Sequence, residues 1–252
     1  MKFNIIIQAR TGSSRFPAKI LNKIDNKTVL EYLIDSLLKK FDKSNIVVAT
    51  TKSPRDMRII KILKKKNIRF FRGSENNVLN RYLNCAKKFN IKNIIQITSD
   101  CPLVDVDMVY KMKKIFFLKD LDYLANTYPP QKSKYPDGSD IEIYRYKSLL
   151  KVLKLSSLKE DKEHVTNFFW KNPKIFKTMI IKKKKDISNY KYSLDYKNEL
   201  FLLKKIIKII KFKKIKPSAD KITNIIKNDK ELKKISDNNI SKFNDNRKDL
   251  FS

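Results

Sequence analysis

Residues 8–19, with the sequence QARTGSSRFPAK, combine two arginines, a lysine and three hydroxyl side chains around a single glycine. Arg10, Arg15 and Lys19 can neutralise a polyphosphate, and backbone N–H groups near Gly12 can donate hydrogen bonds to phosphate oxygens. Arginine can bind phosphate through two parallel hydrogen bonds, and two of the few arginines in this lysine-rich chain lie here. The segment is not a Walker A loop and has no Gly-x-Gly-x-x-Gly fingerprint. A solvated basic loop is the alternative, but the arginine pair favours a phosphate-binding loop.

Two aspartates that follow predicted strands are candidate ligands of a metal ion. Asp100 follows a predicted strand at residues 93–98, and Asp195 follows a shorter one at residues 192–194. Mg²⁺ binds proteins through one or two carboxylates together with substrate phosphates. An aspartate at such a junction is usually a helix N-cap, and for either residue alone that interpretation is the stronger one. As a pair beside a polyphosphate-binding loop, Asp100 and Asp195 indicate a metal site.

The single histidine and the two cysteines exclude several kinds of site. Two cysteines cannot form a disulfide framework, and no Cys/His spacing indicates zinc. One histidine excludes His-rich metal sites and phosphorelay clusters. Cys85 lies on a predicted helical face and is a predicted core residue, and no neighbour activates Cys101. We therefore propose no cysteine nucleophile.

These residues are positioned by short apolar runs that alternate with amphipathic helical patterns. In the first half, strands are predicted at residues 3–8, 45–50, 68–71 and 93–98, and helices at residues 29–41, 54–66 (with Ser53 as N-cap), 77–89 and 106–118. In the second half, strands are predicted at residues 122–126, 140–146, 176–181 and 192–194, and helices at residues 147–156, 160–170 and 198–210. This alternation indicates a mostly parallel α/β sheet. We expect one domain at residues 1–215, with a helical C-terminal extension, residues 216–252, packed on it.

The chain has only three glycines, and all of them fall in loops at the ends of predicted strands. Open α/β sheets bind their ligands at such loops. The positions of Gly12, Gly73 and Gly138 are explained equally well by ordinary turns. The prediction of a binding site therefore rests on the basic loop at residues 8–19.

The net charge of +32 arises from 58 Lys and Arg against 26 Asp and Glu, a balance typical of nucleic-acid-binding proteins. The lysines are spread along the chain and do not gather in one arm, and Lys, Ile and Asn, which have A/T-rich codons, are abundant throughout. Genome composition therefore explains the charge better than a nucleic-acid partner does. The sequence has neither a signal peptide nor a run of 18 apolar residues. We expect a cytoplasmic protein with no membrane insertion and no nucleic-acid partner.

The segment at residues 8–19 resembles the nucleotide loop of the cytidylyltransferases that make CMP-activated sugars, such as CMP-Kdo synthetase and CMP-sialic acid synthetase. The resemblance is closer to the branch that contains the spore-coat polysaccharide biosynthesis protein F. Its further motifs follow in order at residues 47–50 (VVAT), 72–82 (RGSENNVLNRY), 99–103 (SDCPL), 135–142 (YPDGSDIE), 163–166 (EHVT) and 194–196 (LDY). These motifs cover essentially the whole chain, so the resemblance is specific for the family, though not for the substrate.

The resemblance implies a three-layer α/β/α nucleotide-diphospho-sugar transferase fold of Rossmann-like type. The implied reaction is attack of a sugar hydroxyl on the α-phosphorus of CTP, which releases pyrophosphate, for surface polysaccharide or glycoconjugate synthesis. The implied nucleotide-binding residues are Ala9, Arg10, Gly12, Ser14, Arg15, Lys19, Gly73 and Ser74. The implied catalytic residues are Arg10, Lys19, Asp100 and Asp195, of which the two aspartates would hold Mg²⁺. By analogy, the chain would form a homodimer.

The acidic segment at residues 135–142 is unusual in so basic a chain, and we interpret it as the acceptor side of the site. A Pro-Asp-Gly turn accounts for residues 136–138 but not for the later carboxylates. The predicted acceptor-binding residues are Tyr135, Asp137, Asp140, Glu142 and His164. For the lone histidine, a structural role and a role as acceptor contact or general base are equally open.

Three residues depart from the pattern of the resembled family. Ala18 and Asn26 stand where relatives commonly have glycine, and Lys197 stands where many have proline. None of these changes removes a charged ligand. A nucleotide-sugar-dependent glycosyltransferase of the same fold is the alternative function, but the cations of residues 8–19 favour a triphosphate over a diphosphosugar.

Overall fold

Seven strands form one sheet in the computed structural model, which describes residues 2–129, 132–156 and 165–245. Together with a separate pair, the described residues contain nine strands: β1 (Asn4–Gln8), β2 (Lys23–Ile24), β3 (Lys27–Thr28), β4 (Ile46–Thr51), β5 (Arg69–Gly73), β6 (Asn93–Thr98), β7 (Tyr123–Ala125), β8 (Glu142–Arg145) and β9 (Thr178–Ile180). Their order across the sheet is β5-β4-β1-β6-β8-β7-β9, and β2 pairs with β3 separately. The strands from β5 to β6 are parallel, β8 is antiparallel to both neighbours, and β9 is parallel to β7. The prediction of a mostly parallel sheet is confirmed.

Helices connect the strands and extend the chain beyond the sheet. They are α1 (Val29–Leu37), α2 (Met57–Lys65), α3 (Val78–Lys88), α4 (Val106–Leu118), α5 (Tyr146–Leu155), α6 (Asn167–Lys171), α7 (Lys197–Phe212), α8 (Ala219–Lys227) and α9 (Lys230–Asp245). Within the described ranges, no helix combines the length and the apolar character needed to cross a membrane.

Side-chain caps fix the starts of α1 and α4. The Thr28 hydroxyl accepts a hydrogen bond from the Glu31 N–H, and the Glu31 carboxylate accepts one from the Thr28 N–H at 2.8 Å, which forms a capping box at the start of α1. Asp105 Oδ1 accepts a hydrogen bond from the Met108 N–H at 3.0 Å at the start of α4. The predicted starts at residues 29 and 106 are confirmed.

Apolar side chains cover both faces of the sheet. In β1, Ile5 and Ile7 pack into one core with Leu33 of α1, whereas Ile6 packs into a second core with Tyr82 of α3. All five side chains are buried. Because successive residues of a strand point to opposite faces, this alternation shows that helices enclose the sheet on both sides. The predicted three-layer α/β/α fold is confirmed.

Two predicted features of the first half are wrong. The helix predicted at residues 29–41 ends at Leu37, and turns follow it. Phe41, four residues beyond the end of α1, is still buried. Its apolar side chain therefore extended the helical pattern in the sequence past the true end of the helix. Ser53 makes no capping hydrogen bond, since Pro54–Asp56 forms a 3₁₀ turn before α2 begins at Met57.

The segment at residues 192–194 is not a strand, contrary to the prediction. Lys191 forms an isolated β-bridge with Asp137, and the Leu194 N–H donates a hydrogen bond to the Asp100 carbonyl oxygen at 2.9 Å. The segment is buried, so its residue pattern resembles a strand although its partners come from two different loops. Of the helix predicted at residues 160–170, the described part begins at Asn167 as α6, and residues 157–164 lie outside the described residues.

The three C-terminal helices pack together through a third core. Its buried members in these helices include Leu202, Ile206, Ile222, Ile226 and Leu232. The same core contains Ile24 of β2 and Val29 of α1, so the C-terminal helices are in contact with the sheet domain. The division at residues 215 and 216 stays a prediction.

Candidate functional site

The carboxyl ends of β1 and β6 meet at one edge of the sheet, where a cavity of about 710 Å³ opens. Ligands of open α/β sheets bind at this edge. The predicted site residues that line the cavity are Arg10, Gly12, Ser14, Arg15, Lys19, Asp100, Asp137, Asp140, Glu142 and Asp195. The structure therefore brings side chains from four separate chain segments into one cavity.

Five predicted site residues are not among those that line the cavity: Ala9, Gly73, Ser74, Tyr135 and His164. Ala9 is buried, and its N–H donates a hydrogen bond to the Ala49 carbonyl oxygen. Tyr135 lies against Lys183, with 5.2 Å between the ring centroid and the ammonium, and burial raises the pKa of Tyr135 to about 12. His164 lies outside the described residues. Their roles in binding stay predictions.

Lys19 lies between the two predicted metal ligands. Its Nζ is 2.6 Å from Asp100 Oδ2 and 2.9 Å from Asp195 Oδ1. Burial opposes the charge of the ammonium, but the attraction of the two carboxylates outweighs burial and raises the pKa of Lys19 to about 12. Because one nitrogen contacts both side chains, Asp100 and Asp195 face the same point in the cavity.

The donor set at this point is two carboxylates, which Mg²⁺ accepts when phosphate oxygens complete its coordination. Among the residues that the structure describes, there is no group of three or more His, Cys, Asp or Glu side chains that could hold a metal ion. Asp100 and Asp195 therefore fit a metal that is shared with a bound triphosphate, and not one that the protein holds alone.

The two oxygens of Asp195 face different cations. Oδ1 also contacts Arg15 Nη2 at 2.9 Å, and Oδ2 lies 3.0 Å from Lys191 Nζ. Burial opposes ionisation of Asp195, but Lys191, Lys19 and Arg15 together hold its pKa well below the usual range. Asp195 is therefore ionised at neutral pH, and its negative charge is shared between the cavity and a buried lysine.

Asp56 anchors the basic loop to the end of β4. Its Oδ1 accepts hydrogen bonds from the Thr11 N–H at 2.8 Å and the Thr11 hydroxyl at 2.6 Å. Its Oδ2 accepts hydrogen bonds from the hydroxyls of Thr51 at 2.6 Å and Thr50 at 3.1 Å. Burial opposes ionisation, but these donors lower the pKa of Asp56. The Asp56 carboxylate thus holds the basic loop beside β4 through Thr11, and the cationic side chains of the loop take no part in these hydrogen bonds.

Ala18 has a left-handed backbone, with φ 54° and ψ 26°. This conformation favours glycine, which relatives of the resembled family commonly have at this position. The Ala18 N–H donates a hydrogen bond to the Thr11 carbonyl oxygen at 2.9 Å, which closes the loop. The loop therefore keeps its turn geometry despite the substitution, at the cost of steric strain on one alanine.

Residues 73–75 contact the basic loop through Glu75, and Arg81 packs against Gly73 and Ser74. A Cβ on Gly12 would lie 2.6 Å from Glu75 Oε1, and a Cβ on Gly73 would lie 2.8 Å from Arg81 Cγ. Arg81 is fully buried and donates a hydrogen bond from Nη1 to the Ser74 carbonyl oxygen at 2.6 Å. The Glu75 side chain thus reaches Gly12, whereas Gly73 and Ser74 lie against Arg81, and their role in nucleotide binding stays a prediction.

The acidic residues of the predicted acceptor side are held by neutral donors as well as by cations. Asp140 accepts hydrogen bonds from the Thr127 hydroxyl and the Gly138 N–H, both at 2.9 Å. Glu142, at the start of β8, accepts hydrogen bonds from Gln96 Nε2 at 3.1 Å and from the Tyr123 hydroxyl. Carboxylates held in this way can accept further hydrogen bonds from hydroxyl groups.

Neither cysteine carries chemistry in this arrangement. Cys85 packs in the core with α3, and burial raises the pKa of its thiol to about 12. Cys101 lines the cavity, but burial raises the pKa of its thiol well above the ordinary value. Both thiols are protonated at neutral pH, as expected for residues that are not nucleophiles.

An open α/β sheet that gathers a cationic loop and two aspartates at its carboxyl edge is the architecture of a nucleotide-binding transferase. A sequence model of the cytidylyltransferase family matches residues 4–242. The chain belongs to the cytidylyltransferase family, as the resemblance of its motifs predicts.

Individual relatives agree with this assignment. The chain is 33% identical over 181 residues to an uncharacterized protein of Methanocaldococcus jannaschii, a match that covers 72% of each chain. It is 28% identical over 183 residues to the spore coat polysaccharide biosynthesis protein SpsF of Bacillus subtilis, covering 70% of this chain and 73% of that one. A solved structure of a cytidylyltransferase from Leptospira borgpetersenii superposes with a TM-score of 0.85 at 31% identity, covering 92% of this chain and 96% of the other.

Sequence reasoning missed three residues that shape the site: Asp56, Arg81 and Lys191. An acidic residue in the first turn after a proline is also an ordinary helix-start residue, so Asp56 gave no distinct signal. Arg81 stands in the RGSENNVLNRY motif. Arginine is rare in this lysine-rich chain, so its presence in the motif was a signal that could have identified it. Lys191 is one lysine among many, and its burial could not be predicted from composition.

We expect Ala18→Gly to raise the free energy of unfolding by about 0.5–1 kcal/mol, because glycine removes the left-handed strain at this position. Urea unfolding at neutral pH measures the change. Ala86→Gly in the interior of α3 is the matched control, and it should lower the free energy of unfolding by about 1 kcal/mol. Equal destabilisation by both substitutions would contradict the assignment of strain to Ala18.

We expect Lys19→Met to lower the free energy of unfolding by about 2 kcal/mol, because it leaves two carboxylates facing each other. The raised pKa of Lys19 means that its contribution is full below about pH 10 and is lost as pH rises through about 12. The lowered pKa of Asp195 means that the contribution is full above about pH 4 and is lost as pH falls.

The difference between wild type and Lys19→Met should therefore be constant from about pH 5 to about pH 9. Urea midpoints at several pH values across this range measure it. Lys27→Met, which removes an exposed pair with Asp35, is the control and should change stability little. A difference that halves within this range would contradict the ion-pair account.

Proposed function

We propose that this cytidylyltransferase is Mg²⁺-dependent and couples CTP to a sugar or sugar acid, forming a CMP-sugar and pyrophosphate. The observation that carries the proposal is the contact of Lys19 with both Asp100 and Asp195 at the carboxyl edge of the sheet. It joins the cationic loop to two carboxylates, which are the two halves of a metal–triphosphate site. The relation to a polysaccharide biosynthesis protein supports a sugar as acceptor.

In this proposal the cations of the loop bind the triphosphate. Arg15 is 43% exposed in its side chain, so its guanidinium is open to a ligand while one nitrogen holds Asp195. Arg10 lines the same cavity. Mg²⁺ on Asp100 and Asp195 would neutralise charge on the phosphate oxygens during transfer. Positioning and charge neutralisation, without a covalent residue, account for catalysis of phosphoryl transfer.

The acceptor occupies the other side of the cavity in this proposal. Asp137, Asp140 and Glu142 accept hydrogen bonds from its hydroxyl groups and direct one hydroxyl oxygen toward the α-phosphorus. That oxygen forms a bond to phosphorus as the bond to pyrophosphate breaks, and the hydroxyl proton passes to one of these carboxylates. The predicted glycosyltransferase alternative has no use for cations around a γ-phosphate, so the composition of the loop favours the cytidylyltransferase. A homodimer, a cytoplasmic location and the absence of a nucleic-acid partner stay predictions.

A pyrophosphate-release assay with each of the four nucleoside triphosphates tests the proposal. Acidic, neutral and phosphorylated sugars serve as acceptors, with Mg²⁺ or with a chelator. We expect release with CTP, Mg²⁺ and one class of sugar, and a loss of about 100-fold or more in Asp100→Asn, because the metal loses a ligand. Asp120→Asn, at an exposed surface pair, is the control and should be fully active. Full turnover in Asp100→Asn would remove the metal assignment.

Arg15→Ala should weaken CTP binding by about tenfold or more, since a charge-assisted contact to the triphosphate tail is lost. CMP has no such tail, so its affinity should change by less than about twofold. Equilibrium titration of both nucleotides measures the two affinities. Lys27→Ala, which removes a cation from an exposed pair with Asp35, is the control and should leave both affinities unchanged. An equal loss for CTP and CMP would assign Arg15 to the base or to the scaffold.

A further inference from the structure

A buried lysine behind the cavity contacts three carboxylates at once. Lys191 Nζ lies 2.9 Å from Asp137 Oδ2, 3.0 Å from Asp195 Oδ2 and 3.0 Å from Glu199 Oε1. The side chains of Lys191 and Glu199 are fully buried, and those of Asp137 and Asp195 are nearly so. We call these four residues the Lys191 cluster. Its three acids come from the acceptor loop, from the segment before α7 and from the first turn of α7.

Burial of this cluster carries a large desolvation cost, which close contacts must offset. An ammonium has three N–H donors, and Lys191 has the Ser193 hydroxyl as well as three carboxylate oxygens around its nitrogen, so the contact with Glu199 is one between opposite charges. The attraction of the carboxylates, led by Asp137, outweighs burial and raises the pKa of Lys191. Lys191 is therefore charged at neutral pH, and its charge attracts all three acids.

The cluster also determines which way Asp195 faces. Rotation about the bond to its carboxyl group would otherwise be nearly free. With Oδ2 held by Lys191, Oδ1 faces Lys19 and Arg15 in the cavity. Glu199 fixes the backbone of the same residue, since its Oε2 accepts hydrogen bonds from the N–H groups of Asp195 and Tyr196.

We infer that Lys191 is a positioning residue for the transfer reaction, which orients Asp195 toward the metal–triphosphate site and joins it to Asp137 on the acceptor side. This inference rests on the proposed function. Lys191 does not line the cavity, so it acts through the two aspartates and not by contact with substrate. Its backbone is itself anchored, because its N–H donates a hydrogen bond to the Ser236 hydroxyl of α9 at 2.9 Å.

The test compares Lys191→Met, Lys191→Arg and the double variant Lys191→Met/Glu199→Gln. Lys191→Met alone leaves three buried acids around an uncharged side chain, and loss of folding would make it uninformative. The added Glu199→Gln removes one of these negative charges, which returns the net charge of the Lys191 cluster to that of the wild type. Urea unfolding and circular dichroism establish which variants fold, and electron paramagnetic resonance measures Mn²⁺ binding to the protein–CTP complex without acceptor.

We expect the folded double variant to bind Mn²⁺ about tenfold to 100-fold more weakly than wild type, as is usual when a residue that orients a metal ligand is lost. In Lys191→Arg, which keeps the charge, most of the affinity should return. Binding of CTP in the presence of a chelator should change by less than about threefold. A folded double variant that binds Mn²⁺ as wild type does would overturn the inference and leave Lys191 with a structural role alone.

Two further variants and the wild-type assay distinguish failure of this inference from failure of the proposed function. Asp195→Asn should weaken Mn²⁺ binding at least as much as the double variant, and wild-type Mn²⁺ affinity in Asp195→Asn would overturn the inference. Lys205→Met/Glu231→Gln removes a partly exposed lysine between two acids in the C-terminal helices and should leave Mn²⁺ binding unchanged. Failure of the proposed function would appear in the wild type itself, as absent pyrophosphate release from CTP with every acceptor.

Discussion

The ammonium of Lys19, held between Asp100 and Asp195, is the contact on which the arrangement of the site depends. Two carboxylates that face one point repel each other, and the cation between them makes their convergence stable. The lysine comes from the loop after β1, the first aspartate from the loop after β6 and the second from the segment before α7. One charge cluster thus fixes three distant segments. Under the proposed function, a triphosphate that binds Lys19 would compete with these two carboxylates for its ammonium.

The two halves of the sheet contribute different residues to the site. The parallel half, from β5 to β6, ends in the basic loop and Asp100. The direction reverses at β8, which runs antiparallel to β6 and begins with Glu142. Gln96 of β6 donates a hydrogen bond to Glu142 across this boundary. The cationic loop follows β1 and the acidic segment leads into β8, and β6 lies between these two strands and pairs with both, which keeps the two sides of the cavity at a fixed separation.

Most of the fold could be predicted because its signals are local. Apolar runs and helical periodicity predicted β6 and α4 with their observed bounds. The predicted strand at residues 192–194 failed because a buried extended segment has the same residue pattern whether it pairs with a strand or with two loops. The cationic loop was recognised from its residue types, whereas Lys191 was not. Its three acids lie up to 54 residues away along the chain, and in a lysine-rich sequence nothing local distinguishes a buried lysine from a solvated one.

The hydrogen bond from Lys191 to Ser236 places the last described helix in direct support of the site. Ser236 is fully buried, and α9 is the final helix of the described chain. Ribosomes deliver a chain from its N-terminus, so the sheet and the basic loop emerge long before this serine does. The site therefore gains this support only once α9 has been synthesised, and a nascent chain stalled before α9 would lack the hydrogen bond from Lys191 to Ser236.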